Sequence, residues 1–135
     1  MDTSEEQFHE LISQLIARAQ KSLRATNSFS PLGLAINQQN AIEVLLCSDI
    51  DSVSEQLNII QNALKEKARA NSIKACAISY ADYEHQQIIT FLENKENYCL
   101  KVQIPVLIND APELDISNLQ NLDGTVYVFE IINVG

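Results

Sequence analysis

The chain has 135 residues, 46% of them hydrophobic, which suits a single domain able to bury one continuous core without metals or disulfides. Its formal charge of −9, from 9 Lys and Arg against 18 Asp and Glu, repels a phosphate backbone and sets nucleic acid aside as a partner. Aromatics make up only 6% and Trp is absent, so base-stacking platforms are scarce, and no apolar run is long enough to span a membrane.

In chain order, residues 3–23 read as a helix. A capping box, Thr3 with Glu6, precedes apolar residues at Phe8, Leu11, Ile12, Leu15, Ile16 and Ala19. Glu5 and Glu6 stand in the first turn and Arg18, Lys21 and Arg24 in the last turns, matching the helix dipole at each end. Turn chemistry in "TNSFSP" ends the helix between residues 25 and 30. The runs "LGLAIN" and "AIEVLLC", separated by "QQN", then predict a hairpin whose turn lacks the usual glycine. A second capping box, Ser52 with Glu55, opens a helix with the stripe Val53, Leu57, Ile60, Leu64 and Ala68. Its basic end, Lys65, Lys67 and Arg69 with Lys74 nearby, complements the dipole before it needs reading as an anion site.

From Ile73 the pattern turns to strands: "IKACAISYA", "IITFLE", "NYCLKVQIPVLI" and "TVYVFEII". The expectation is one α+β domain over residues 1–135. A mostly antiparallel sheet of about six strands carries two helices packed on it, in the order α-β-β-α-β-β-β-β. Several α+β modules share this order, which by itself implies no function. Strands such as "YCLKVQIPVLI" are apolar on both faces, more than two helices can cover. Either residues 109–123 fold back as a lid through Leu114, Ile116, Leu119 and Leu122, or a second copy of the chain covers the rest. Pro105 belongs at an edge or a bulge, and an unpaired strand edge is a natural dimer contact.

Motifs for chemistry are few. With three glycines no phosphate-binding loop can be written, and Asp123-Gly124 reads as ordinary turn chemistry. Cys47, Cys76 and Cys99 match no zinc or redox spacing and read as reduced core residues. His9 reads as a solvated helix residue, and no metal or cofactor is expected. The stretch "SYADYEHQQ" sets Asp82 and Glu84 on one side and Tyr83 and His85 on the other, as a polar turn between strands rather than an acid–base pair. An enzyme would need His9 or His85 against a carboxylate or thiol inside a cleft. The acidic start of the chain lacks the features of a signal peptide, so a soluble cytoplasmic protein is expected.

From Asp82 onward stand nine acids and two bases, which favours a cationic partner. The candidate binding rim is Tyr80, Asp82, Tyr83, Glu84, His85, Glu93, Glu96, Asp110, Glu113 and Asp115. These features predict a homodimeric, non-enzymatic protein that works by contact with a basic protein, for instance as its antagonist. The alternative is an aliphatic pocket between sheet and helices, closed by residues 109–123, for a cationic or neutral apolar ligand oriented by Tyr80, Tyr98 or Tyr127.

Overall fold

The computed structural model describes residues 3–47, 50–108 and 110–131. Helix α1 spans Ser4–Thr26 and helix α2 spans Val53–Arg69. Thr3 caps α1 as predicted: its hydroxyl accepts the Glu6 N–H at 3.2 Å and donates to the Glu6 carboxylate at 2.9 Å. Ser52 caps α2 by accepting the Glu55 N–H. Around them run β1 (Leu32–Asn37), β2 (Ile42–Leu46), β3 (Ile73–Asp82), β4 (Gln87–Asn94), β5 (Cys99–Ile108), β6 (Pro112–Leu114) and β7 (Gln120–Asp123). They form an antiparallel sheet in the order β2-β1-β3-β4-β5-β6, with β7 also paired to β5. The chain is an α+β fold.

Asparagine supplies the turns that glycine usually supplies. In the β1–β2 hairpin, Asn40 takes φ 64°, and the Asn37 side chain accepts the N–H groups of Gln39 and Ala41. Asn27, Asn71 and Asn97 also have positive φ, a conformation that a short polar side chain tolerates better than most.

Alternation along the strands gives the sheet two apolar faces, and each helix takes one. Leu34 and Ile36 of β1, Ala75 and Ala77 of β3 and Leu92 of β4 meet Phe8, Leu11, Leu15 and Ala19 of α1. On the opposite face Ala35, Cys76 and Ile78 meet Ile60 and Leu64 of α2. Burying each large aliphatic side chain contributes ~2 kcal/mol, so the two stripes read from the sequence account for both helix positions. Gly33 lets α2 sit directly on β1: a Cβ there would lie 2.6 Å from Ile60 Cγ2.

The end of the chain departs from expectation in two places. The run "TVYVFEII" is not a strand: its described residues, 125–131, join no ladder, and Ile132 lies outside the described residues. After β7 the chain instead crosses β5 at Gly124 and lays Val126, Val128 and Phe129 on the α2 face. The segment 109–123, of which Asn109 lies outside the described residues, extends the sheet instead of covering it. It supplies β6, a 3-10 turn at Ile116–Asn118, and β7 on the outer side of β5. Of its four large apolar residues, Leu114 and Leu119 join the α1-face core while Ile116 and Leu122 are exposed.

Pro105 accounts for the gap between those two strands. Val106 N–H reaches the Gln86 carbonyl at 2.8 Å, so alternation turns position 105 toward the outer side, where proline has no N–H to offer. Its carbonyl still accepts the Asp115 N–H at 2.8 Å, and the ladder resumes at Val106 with β6. Among the described residues no helix is long and apolar enough to cross a membrane.

Candidate functional site

One helix is too narrow to cover the whole α1 face. Helix α1 crosses β1, β3 and β4 and meets β6 through Gln20, and beside its N-terminal half, over β5 and β7, an open groove of about 800 Å3 remains. Ile12 and the rim of Phe8 form the helix wall, and Leu92, Leu100 and Val102 form the floor. Leu119, leading into β7, forms the far wall. The register places Leu100 beside Leu92 and Val102 beside Asn121, so floor and far wall are one continuous sheet surface. Its polar groups are Thr3, Ser4, Glu5 and His9 on the helix side and Tyr98 and Asn121 on the sheet, Asn121 beside Val102. His9 is exposed as expected, but it borders this groove, a position that helix periodicity alone does not reveal.

The stretch "SYADYEHQQ" resolves as a turn. Strand β3 ends at Asp82, residues 83–86 turn with Gln86 at φ 50°, and β4 begins at Gln87. Asp82 pairs with His85 rather than with Glu84: its carboxylate meets His85 Nδ1 at 2.8 Å and also accepts from the Gln87 amide at 3.1 Å. The hydrogen bond from the Gln87 amide is the largest influence on the Asp82 carboxyl; burial opposes it, and the His85 ring and N–H add to it, so that the carboxyl lies below the usual carboxylate range. Glu84 is exposed. The Tyr83 hydroxyl accepts the Phe29 N–H at 3.1 Å, fastening the turn to the chain just past α1. Chemically the arrangement orients an imidazole whose ring is largely in solvent, with 65% of the His85 side chain exposed.

Glu93 is the candidate that the structure moves furthest. Predicted for a solvated rim, it is 2% exposed, and its carboxylate accepts three backbone N–H groups, those of Tyr127, Val128 and Phe129, each at 2.9 Å. Residues 126–129 are thereby pinned to the sheet beside α2, and the buried charge is satisfied by N–H donors instead of a cation. Cys76 lies opposite Glu93 in the ladder. Burial first, and the Glu93 charge second, push its thiol well above the ordinary range. A thiol reagent at neutral pH is therefore expected to leave Cys76 unmodified in the native protein and to modify it on unfolding; modification of Cys76 at the native rate of Cys47 would contradict this.

The predicted rim does not assemble as one surface. Asp82, Glu84 and His85 at the β3–β4 turn lie at the same sheet end as Asp110, Glu113 and Asp115 around β6, because Gln87 pairs with Pro105 and Val106 with Leu114. Glu96 sits in the β4–β5 turn at the opposite end. Asp115 is held by Asn118 and Ser117, whose hydrogen bonds lower its carboxyl. Tyr80 is turned to the α2 face, where its ring stacks on Phe91 with centroids 6.4 Å apart, and Tyr127 meets Phe91 edge-on at 5.4 Å. Of the three tyrosines read as pocket groups, Tyr98 alone lines the groove. No cluster of His, Cys, Asp and Glu suited to a metal occurs among the described residues. No protein-family model, curated protein or solved structure matches this chain.

Proposed function

We propose that this protein is a non-enzymatic binding module that works by contact with another protein, seating an apolar, basic-flanked segment of that partner between α1 and β5–β7. The observation that supports this is the groove itself: an apolar floor of Leu92, Leu100 and Val102 between Ile12 and Leu119, left open beside a helix, with few polar groups along it. The margin carries Glu5, and the whole chain carries −9, so basic flanking residues on the partner gain from both. Holding such a segment away from its own target would make the module an antagonist of a basic protein.

The volume of about 800 Å3 also favours a second reading, a cationic or neutral apolar small molecule in the same groove, with Tyr98 and Asn121 as orienting groups. The two readings separate in a paired experiment with the wild type and the double variant Tyr98→Asp/Leu119→Asp. In a pull-down from the native host, protein binding predicts a stoichiometric basic partner for the wild type and roughly tenfold less for the variant, a loss of ~1.4 kcal/mol. Equal recovery on both overturns the groove as the protein-binding site. A wild type that recovers nothing, yet is stabilised in a thermal-shift screen by an apolar amine that leaves the variant unmoved, supports the small-molecule reading instead.

A further inference from the structure

The two edges of the sheet are finished differently. On the far side of β5 the edge is broken into two short strands separated by the 3-10 turn. Pro112 and Glu113 stand in β6, Asp123 stands in β7, and the Gln20 side chain occupies the β6 backbone, accepting from Leu114 N–H at 2.9 Å and donating to the Pro112 carbonyl at 3.1 Å. These are the features that stop an edge from pairing. At the other edge β2 carries fewer of them: "IEVLL" has one charge, Glu43, but no proline, and its ladder to β1 runs from Ile42 to Leu46 without a bulge.

The hairpin fixes which β2 groups face away from β1 and have no ladder partner among the described residues. Asn37 N–H bonds to the Ala41 carbonyl at 3.0 Å, so alternation turns Glu43 and Leu45 toward β1 and aims the N–H and C=O groups of Ile42, Val44 and Leu46 outward. Apolar surface borders that row. Val44 is 38% and Leu46 67% exposed on the α1 side, and Ile59, 43% exposed, lies on the α2 flank away from Gln61, which reaches Tyr127. The one charge on β2, Glu43, is matched by Lys67 at 2.9 Å.

We infer that β2 pairs antiparallel with β2 of a second copy of this chain, joining the two sheets across a two-fold axis at Val44. Val44 then faces Val44 of the second copy and Leu46 faces Ile42, which satisfies every outward group of the strand at once. Charge does not oppose a second copy at this place: two chains of −9 repel over most of their surfaces, but the one charge on β2 itself, Glu43, is matched within its own chain by Lys67. A stable dimer buries ~800 Å2 per partner, more than a short ribbon alone offers, and the exposed Val44, Leu46 and Ile59 add apolar area on both sides of it. The groove beyond β5 lies at the opposite edge and stays open in such a dimer.

Solution mass by light scattering tests this on the full chain. The wild type is expected at twice the 15.1 kDa chain mass, and Val44→Lys/Leu46→Lys at the single mass with an unchanged circular dichroism spectrum. Leu107→Lys/Ile108→Lys, at the other edge, is expected to remain dimeric. A monomeric wild type at concentrations up to about 1 mM overturns the inference, as does a β2 variant that stays dimeric. Should the β2 variant fail to fold, amide exchange on the wild type decides: protection of the Val44 and Leu46 amides that rises with protein concentration supports the pairing, and protection independent of concentration overturns it.

Discussion

Glu93→Gln is expected to lower stability by about 3 kcal/mol, roughly 10 °C in Tm, although the two side chains have nearly the same shape. One carboxylate oxygen accepts from Val128 and Phe129 and the other from Tyr127. An amide can offer one acceptor oxygen only; its NH2 must face a backbone N–H, leaving at least one buried donor unsatisfied. The change also exchanges charge-assisted hydrogen bonds for neutral ones, which are about half as strong. Thermal denaturation measures the total, and amide exchange locates it: protection is expected to fall first at residues 127–129. A loss under about 1 kcal/mol would mean that the packing of Val128 and Phe129 holds the segment and the carboxylate contributes little.

The second large effect is expected at Gly124, where the chain leaves β7 and crosses β5. A Cβ there would meet Leu100 N at 2.7 Å and the backbone carbons of Cys99 and Leu100 at 2.9 Å. Backbone cannot rotate aside, so Gly124→Ala must lift the crossing or part β7 from β5, at a cost of about 3 kcal/mol. Gly33→Ala is the internal comparison. Its closest contacts are side-chain atoms, Ile60 Cγ2 at 2.6 Å and Leu45 Cβ at 3.2 Å, so a small shift of α2 away from β1 relieves them, and about 2 kcal/mol is expected. Equal losses at the two glycines in chemical denaturation would contradict the crossing as described. Because Gly124 and Glu93 secure the same segment, the double variant is expected to lose less than its two single effects combined.

Those two residues also mark where sequence reasoning stopped. Both helices were legible because each signal was local: Thr3 with Glu6, Ser52 with Glu55, and the stripes through Leu11 and Leu15 or Ile60 and Leu64. Strands β1 to β5 were legible from period and β-branched content. "TVYVFEII" has the same alternation, yet its N–H partners come from the side chain of a residue more than thirty positions earlier, and no local pattern encodes that. Glu93 was read as solvated because carboxylates usually are; its burial depends on the same distant contact. Strand β7, "QNLD", is polar and exposed, and it pairs because β5 has an open outer edge there. Gly124 looked like turn chemistry because a close approach of two backbones leaves no trace in composition.

The candidate site was legible in part. An aliphatic site between sheet and helix, bordered by the segment after residue 109 and by Tyr98, was within reach of the sequence. Its helix wall was not distinguished in the sequence, where Ile12 read as part of one buried stripe with Leu11 and Leu15; in the fold it is the residue left at the groove. The acidic rim could not be read, because the end of the sheet at which each acid emerges depends on strand order and register.

The most direct test of the binding account is amide chemical-shift mapping during titration with an amphipathic helical peptide, leucine on one face and lysine on the other. A matched peptide with glutamate in place of lysine serves as the control. The account predicts saturable shifts at Phe8, His9, Ile12, Leu100, Leu119 and Asn121 for the basic peptide, weakened by salt, and much smaller ones for the acidic peptide. No shifts at these residues, or equal shifts with both peptides, would contradict it.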